Sequence, residues 1–569
     1  MRISNLATVN LATVNLATVN LAKINIITVN IALIFLLISC DKQEEITSDT
    51  TINNRSHESN LRADDYIQHN ETYNQEAPIP PQCYTKTDGK FNPCYVCHQS
   101  YNDKDRPNMM RDGYQQGSYA FSEIGEHNSW SNLFKDRQKH VHAISDDEIL
   151  EYVKQNNYDE LIDWMKSDAW QGVIPEIKNL SAGAIAFDEN GLALDNSGWV
   201  AFNYKPFPST FWPTNGSTDD SMIRLENKFQ TKNGKFSRDV YYANLSLIEL
   251  TISGRDNTST VDLNEQLIGE DVDGDGRLSP VTRKMTLQKK YFGDASDVDV
   301  HAMLYPTGTE FLHTVRYIDI DDNQVVGAAP RLKELRYMRK QGFRDIKGLA
   351  SNYYHEFKEK HFEKLPQAMH KGEQGIANTF GWTLLGFIEN EHGVLRKQHN
   401  EEHFYCVGCH KSIGTTIDHT FSFPRKVAGR DGWSYIDLTK MTDVANINEV
   451  EGEYLTYMQR VGGGDEFRQN DEMLARWFTP SGDVDTKKVK EQTSLYPLIM
   501  PSAERALTLN KAYKVTVNEQ SFLYGRDTVI SPAKNVLIDV DTDVAPLPPN
   551  KRYNWDIRLD WSSANSDES

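Results

Sequence analysis

The chain has 569 residues, 38% of them apolar, and a formal charge of −20 at neutral pH. That length exceeds what one hydrophobic core usually holds, which predicts two or three domains. The composition predicts a mostly globular chain, and so acidic a surface argues against nucleic acid as a partner.

Residues 1–39 carry Arg2 and Lys23 and no acidic residue. They lead into “INIITVNIALIFLLISC”, Ile24 to Cys40, an apolar run closed by a small residue, as in a secretory signal. The run is short for a spanning helix, and the chain turns polar at Cys40. “LISC”, Leu37 to Cys40, resembles the lipobox of bacterial lipoproteins. That resemblance implies cleavage before Cys40 and lipidation of Cys40. The pentads in “NLATVNLATVNLATV” are too few to stack into a solenoid and read as repeat expansion within the signal. Loss of Arg2 and Lys23 with residues 1–39 takes the formal charge from −20 to −22. From Asp41 to Pro81 the chain is polar and acidic, a disordered tether. Such a tether reaches roughly 35 Å, holding the folded body clear of a membrane.

Further along, “SDDEILEYV” from Ser145 pairs Ser145 with Glu148 as a capping box ahead of Ile149, Leu150 and Val153, so a helix starts there. Trp199, Phe207 and Trp212 leave room for a substrate pocket in the middle of the chain. Asp239 to Ile252 predicts a buried helix. “DVDGDGRLSPVT”, Asp271 to Thr282, places Asp271, Asp273 and Asp275 at the first, third and fifth positions of an EF-hand-type calcium loop. Gly276 takes the sharp turn and Arg277 offers its carbonyl. Thr282 stands where the bidentate acid belongs, so calcium binding needs an acid from elsewhere in the chain. Phe311 to Ile320 alternates like a strand. “PRLKELRYMRKQ” predicts a helix with Pro330 in its first turn, made basic by Arg331, Lys333, Arg336, Arg339 and Lys340. It reads either as a solvated face balanced by acids or as a dock for an anion. Phe380 to Leu395 predicts two strands about a turn at Glu391 to Gly393. “NEEHFYCVGCH” predicts a helix capped by Asn400 that delivers Cys406, Cys409 and His410.

Of the six cysteines, four form two pairs, “CYVCH” (Cys94, Cys97, His98) and “CVGCH” (Cys406, Cys409, His410). Two thiols three apart on a helical turn face the same way. They can add to the two vinyl groups on one edge of a haem, with the next imidazole under the iron. A four-cysteine zinc site needs no histidines, and a thioredoxin-like dithiol needs one pair in a βαβ context. The two motifs resemble those of a dihaem c-type cytochrome. The resemblance covers the motifs alone and implies that His98 and His410 are the proximal iron ligands. Cys83 is left over, an inert thiol or a candidate for a disulfide or an iron thiolate.

These readings give an α+β fold in which two haem-bearing regions, 83–195 and 376–569, flank a mixed middle region, 196–375, after the signal at 1–39 and the lipidated tether at 40–82. The two haem regions should pack together, since electron transfer needs proximity. The sixth iron position decides function. Candidates are Met109, Met110, His127, His140 and His142 near the first motif, and His392, His399, His419 and Met441 near the second. His403, on the same side as His410, is a poor choice. One function is a membrane-anchored extracytoplasmic electron carrier between redox partner proteins. A second is a dihaem oxidoreductase, peroxidase- or dehydrogenase-like, with one electron-transfer and one catalytic haem. A third is a structural or adhesive lipoprotein whose haems sense. All three place the protein in the cell envelope, on the periplasmic side or at the outer-membrane surface.

Overall fold

The computed structural model describes residues 79–86, 97–99, 106, 121–208, 213–361, 368–462, 470–541 and 556–563. All of them fall in one unit, His57–Ser569. The signal, the pentads, Cys40, nearly all of the tether, Cys94, Met109, Met110 and Trp212 lie outside the described residues.

The architecture is α+β. Helix α1 (Asp146–Val153) begins as its sequence predicts, with Ser145 Oγ accepting from Glu148 N at 3.2 Å. Helix α2 (Tyr158–Met165) follows it. Strands β1 (Val200–Ala201) and β2 (Thr218–Arg224) come next. Helix α3 (Arg238–Ser253) is the predicted buried helix, and every residue from Val240 to Ile252 is buried. Strands β3 (Glu310–Ile320) and β4 (Val326–Lys340) form the longest ladder. After helix α4 (Ile346–His361) come β5 (Met369–His370), β6 (Ile376–Ala377), β7 (Trp382–Glu389) and β8 (Leu395–Lys397). Helices α5 (Asn400–Val407) and α6 (Ala503–Glu519) complete the frame. The eight strands make one antiparallel sheet in the order β1-β2-β3-β4-β7-β6-β5, with β8 paired to β7. The predicted hairpin is β7 and β8, closed at Asn390–Val394. The sheet draws on both sides of residue 375, so the middle and C-terminal stretches share one structural layer.

The basic stretch from Pro330 corrects the helix prediction, since it is strand β4. Its apolar residues Leu332 and Leu335 stand three apart, as on a helix, yet both enter one core cluster. A bulge explains this. Arg316 pairs with Leu332 while Val315 pairs with Glu334, so Lys333 is an extra residue. Its cations are not a solvated face. Arg331 Nε lies 2.5 Å from Glu389, Lys333 donates to Gly216 O and to Ser217 Oγ, and Lys340 pairs with Asp418.

Each sheet face has its own core. Met222, Leu312, Leu335, Tyr337, Leu385 and Phe387 pack with α2. Phe311, Met338, Trp382 and Leu384 share the other cluster with α3, Cys97 and Cys406. Beyond that second face a buried ion-pair network ties distant segments together. Arg425 forks onto Glu453, with Nη1 2.7 Å from Oε1, and Lys205 reaches Glu453 at 3.3 Å and Asp443 at 2.6 Å. Asn446 donates to Glu453 at 3.0 Å. Burial alone would raise the Glu453 pKa, but Arg425 and Lys205 outweigh it and hold the carboxyl below its usual range.

Glu453→Gln removes the shared anion and leaves two buried cations. The expected cost is about 3–5 kcal/mol, read as a lower urea midpoint. The glutamate's folded pKa is depressed. Its contribution is therefore complete above the unfolded value of about 4.3 and is lost as pH falls through the folded value. The gap between parent and variant should stay constant from neutral pH to about 5 and close in stronger acid. A gap below about 1 kcal/mol at neutral pH would remove this network from the fold's supports.

Candidate functional site

The second motif begins on α5. The predicted cap, Asn400, is instead the first helical residue, and His399 is the cap, in a reciprocal box with Glu402. Glu402 accepts from His399 N at 2.7 Å and is forked by Arg396 at 2.8 and 2.9 Å. Burial would raise its pKa, but Arg396 holds it well below the usual carboxylate range. The helix docks on the sheet through His403, whose Nε2 accepts from Gly386 N of β7 at 2.9 Å. Only Cys406 lies within the helix. Cys409 and His410 follow in a turn whose amides both donate to Cys406 O, at 3.3 and 3.0 Å.

His410 is oriented on three sides. Its Nδ1 lies 2.8 Å from His419 O, which leaves Nε2 for a metal. Its carbonyl accepts from Asn378 Nδ2 at 2.7 Å, and its ring meets Phe421 edge-on at 5.3 Å. Burial lowers the His410 pKa to about 4, pushes the Cys409 thiol up to about 12 and raises Cys406. These groups are largely withdrawn from water, and each of the three residues is half-buried. The two sulfurs are not bridged to each other. Unbridged thiols and an imidazole with Nδ1 engaged fit covalent haem attachment.

The first motif meets the loop that follows the second. Cys97 O accepts from Thr415 N at 3.1 Å. Fully buried Arg106 reaches the carbonyls of Gly414, Thr415 and Thr416 at 3.4, 3.5 and 2.5 Å, and Asp556 at 3.6 Å. Segments some three hundred residues apart in the chain thus share one loop, and the expected proximity of the motifs holds for Cys97. His98 is half-buried.

The other candidate ligands are scattered. His127 pairs with Asp539 at the surface at 2.8 Å, and His140, His142 and His392 are exposed. His399 caps α5, and Met441 is buried in the main core. His419 stands behind His410. Its carbonyl holds the His410 ring, and its own Nδ1 lies 2.6 Å from Lys411 O. Its ring lies beside Phe380, with centroids 4.6 Å apart. Of the central aromatics, Trp199 is buried under Arg224, and Phe207 packs on Phe421 at 5.3 Å. Cys83 sits half-buried in a short helical turn, Pro81–Tyr84. The sequence reading missed His313 and placed Arg336 on a helix; both stand on the sheet within electrostatic reach of His410. Their side chains are directed by strand alternation, a signal hidden in β4 by the bulge.

In the acidic loop, Glu265, Asp271 and Asp273 bring ligand oxygens within 4.8 Å of one another. Glu265 is a buried acid beside the loop whose twelfth position is Thr282. It lies upstream of the pattern, beyond the reach of a twelve-residue motif. Its carboxylate accepts from Val272 N and Ser279 N, both at 2.7 Å, while Asp275 accepts from Arg277 N at 2.8 Å.

Arg106→Met would strip three carbonyls of a charged donor. Such bonds contribute about 1.5–3 kcal/mol. Amide exchange at Thr415, Thr416 and Ile417 should accelerate by at least about tenfold, read by hydrogen-exchange mass spectrometry. Unchanged exchange there would show that the loop holds itself.

The model of a family described as “-like lipoprotein” matches residues 67–497 of the chain. A relative from Aquifex aeolicus (strain VF5), named “Uncharacterized lipoprotein”, is 33% identical over 538 residues, covering 82% of this chain and 89% of the relative. No solved structure matches the chain. With a family model over most of its length and a relative that similar along 82% of it, the chain belongs to this lipoprotein family.

Proposed function

We propose that this lipoprotein is a membrane-anchored, extracytoplasmic dihaem c-type cytochrome that passes electrons between redox partner proteins. The observation that carries the reading is the backbone bond from Thr415 N to Cys97 O, 3.1 Å, which seats one motif on the loop of the other. Cys94, Cys97 and His98 would hold one haem, and Cys406, Cys409 and His410 the other. A haem at each motif supplies one-electron chemistry at a potential set by its surroundings. The chain's own part is to fix the imidazoles. At the second motif the His419 carbonyl and Phe421 hold the His410 ring, and burial keeps it neutral, the form that binds a metal. The acidic surface suits partners with basic faces, which it would attract at long range. Lipid on Cys40 would keep the site near the membrane, where a polar tether lets it meet them. A second reading, a dihaem oxidoreductase, is favoured by His313 and Arg336 beside the second motif.

Haem stoichiometry tests the main reading. The native protein should carry two covalent haems by pyridine hemochrome and by mass spectrometry, and Cys406→Ser with Cys409→Ser together should carry one. His410→Ala should keep both haems attached and change the spectrum of one. No covalent haem on the native chain, or two on the double variant, overturns the proposal.

The anchor has its own test. Cys40→Ser should leave the haem content unchanged and move the protein to the soluble fraction. Retention in the membrane fraction would place the anchor elsewhere.

A further inference from the structure

We propose that His419 Nε2 is an axial iron ligand for the first motif, so that the loop following the second motif completes the haem held by Cys94, Cys97 and His98. The inference rests on the dihaem reading and deepens it, since it fills the sixth position of one haem with a protein nitrogen.

Among the described residues two histidines are fully buried, His403 and His419, and each has one ring nitrogen without a hydrogen-bond partner. The two nitrogens differ in kind. His403 Nε2 accepts from Gly386 N at 2.9 Å, so its partnerless Nδ1 carries the proton and has no lone pair to give. His419 Nδ1 donates to Lys411 O at 2.6 Å, so its partnerless Nε2 carries the lone pair. A buried acceptor left bare calls for a partner that the chain itself does not supply. An imidazole with Nδ1 spent on a backbone carbonyl and Nε2 bare is the form in which histidine binds a metal. His410, the proximal ligand on the proposed reading, has Nδ1 fixed in the same way, on His419 O.

The backbone at this position is set by its neighbours. Asp418 and His419 both hold left-handed conformations, φ 44° and 65°, which residues with a Cβ adopt only when their surroundings impose it. Asp418 is pinned by Lys340 and by Tyr305 N, which donates to it at 2.9 Å. The choice between the two haems follows from where the ring is tied. The two nitrogens of an imidazole point in diverging directions, so the bond from Nδ1 turns Nε2 away from Lys411, the residue that follows the second motif. The first motif is fastened to the same loop. Thr415 N donates to Cys97 O, and Arg106 spans the carbonyls of Gly414, Thr415 and Thr416. The chain on both sides of His98 is thereby tied to the segment that carries His419.

The test uses the full-length protein, counts its haems and reads their spin state. In the Cys406→Ser, Cys409→Ser double variant, which carries the first haem alone on the proposed reading, that haem should be low-spin and should not bind carbon monoxide. Adding His419→Gly should make it high-spin and able to bind carbon monoxide, and free imidazole should restore the low-spin spectrum. If the triple variant does not hold its haem, His419→Gly in the otherwise native chain decides. One of its two haems should then change in the same way and answer to imidazole, and combination with His410→Ala should alter both haems. A combined change confined to one haem would put both histidines on the same iron and overturn the assignment. A first haem that stays low-spin and inert to carbon monoxide without His419, or one already high-spin in the double variant, also overturns it. A native chain with no covalent haem overturns the dihaem reading and this ligand with it. Two covalent haems that both ignore His419→Gly overturn the ligand and leave that reading standing.

Discussion

The ten residues from His410 to His419 run through the interior, where water cannot serve their carbonyls, so each buried carbonyl needs a partner. Asn378 takes that of His410, and the His419 ring takes that of Lys411. Thr416 and Thr420 close on Ile413 and Ile417. Arg106 covers Gly414 through Thr416, and the His410 ring itself takes the carbonyl of His419. The loop's shape follows from this pairing, and with it the direction of His410 and the seat of Cys97. An unpaired buried carbonyl would cost about 1–3 kcal/mol.

Around this loop the fold stores charge inside. Arg316 with Asp220, Arg425 with Glu453, Lys426 with Glu249 and Lys340 with Asp418 are all buried pairs. Such pairs add little net stability over apolar packing, but losing one partner is costly. The effect is specificity. Lys340 and Asp418 join β4 to the start of the His419 turn, and Asp418 also accepts from Tyr305 N at 2.9 Å. Phe207 links this region to the ion pairs, packing on Phe421 and lying under Arg425.

What the sequence made legible was local. Ser145 and Glu148 announce α1, Asp239 to Ile252 announces α3, and the β7–β8 hairpin follows from its turn. The cysteine pairs are legible because the residues of each stand next to one another in the chain. Each miss came from something non-local. Strand β4 looked helical because its bulge gives Leu332 and Leu335 a helical spacing. His399 displaced Asn400 as a cap because Arg396, buried with Glu402, positions the reciprocal acid. Glu265 lay outside the loop pattern it joins. His313 and Arg336 belong to different strands, and only the register makes them neighbours.

The bond between Cys97 and Thr415 also has a consequence in time. The two residues are 318 positions apart. Synthesis at about 5–20 residues per second puts the receiving loop roughly 15–60 s behind the first motif. Throughout that interval Cys97 and its neighbours have no Thr415 amide to meet, and Arg106 has no carbonyls to bridge. The seat of Cys97 therefore forms late. On the proposed reading the first motif would be open to attachment before its seat exists, while the second motif stands next to its own loop in the chain.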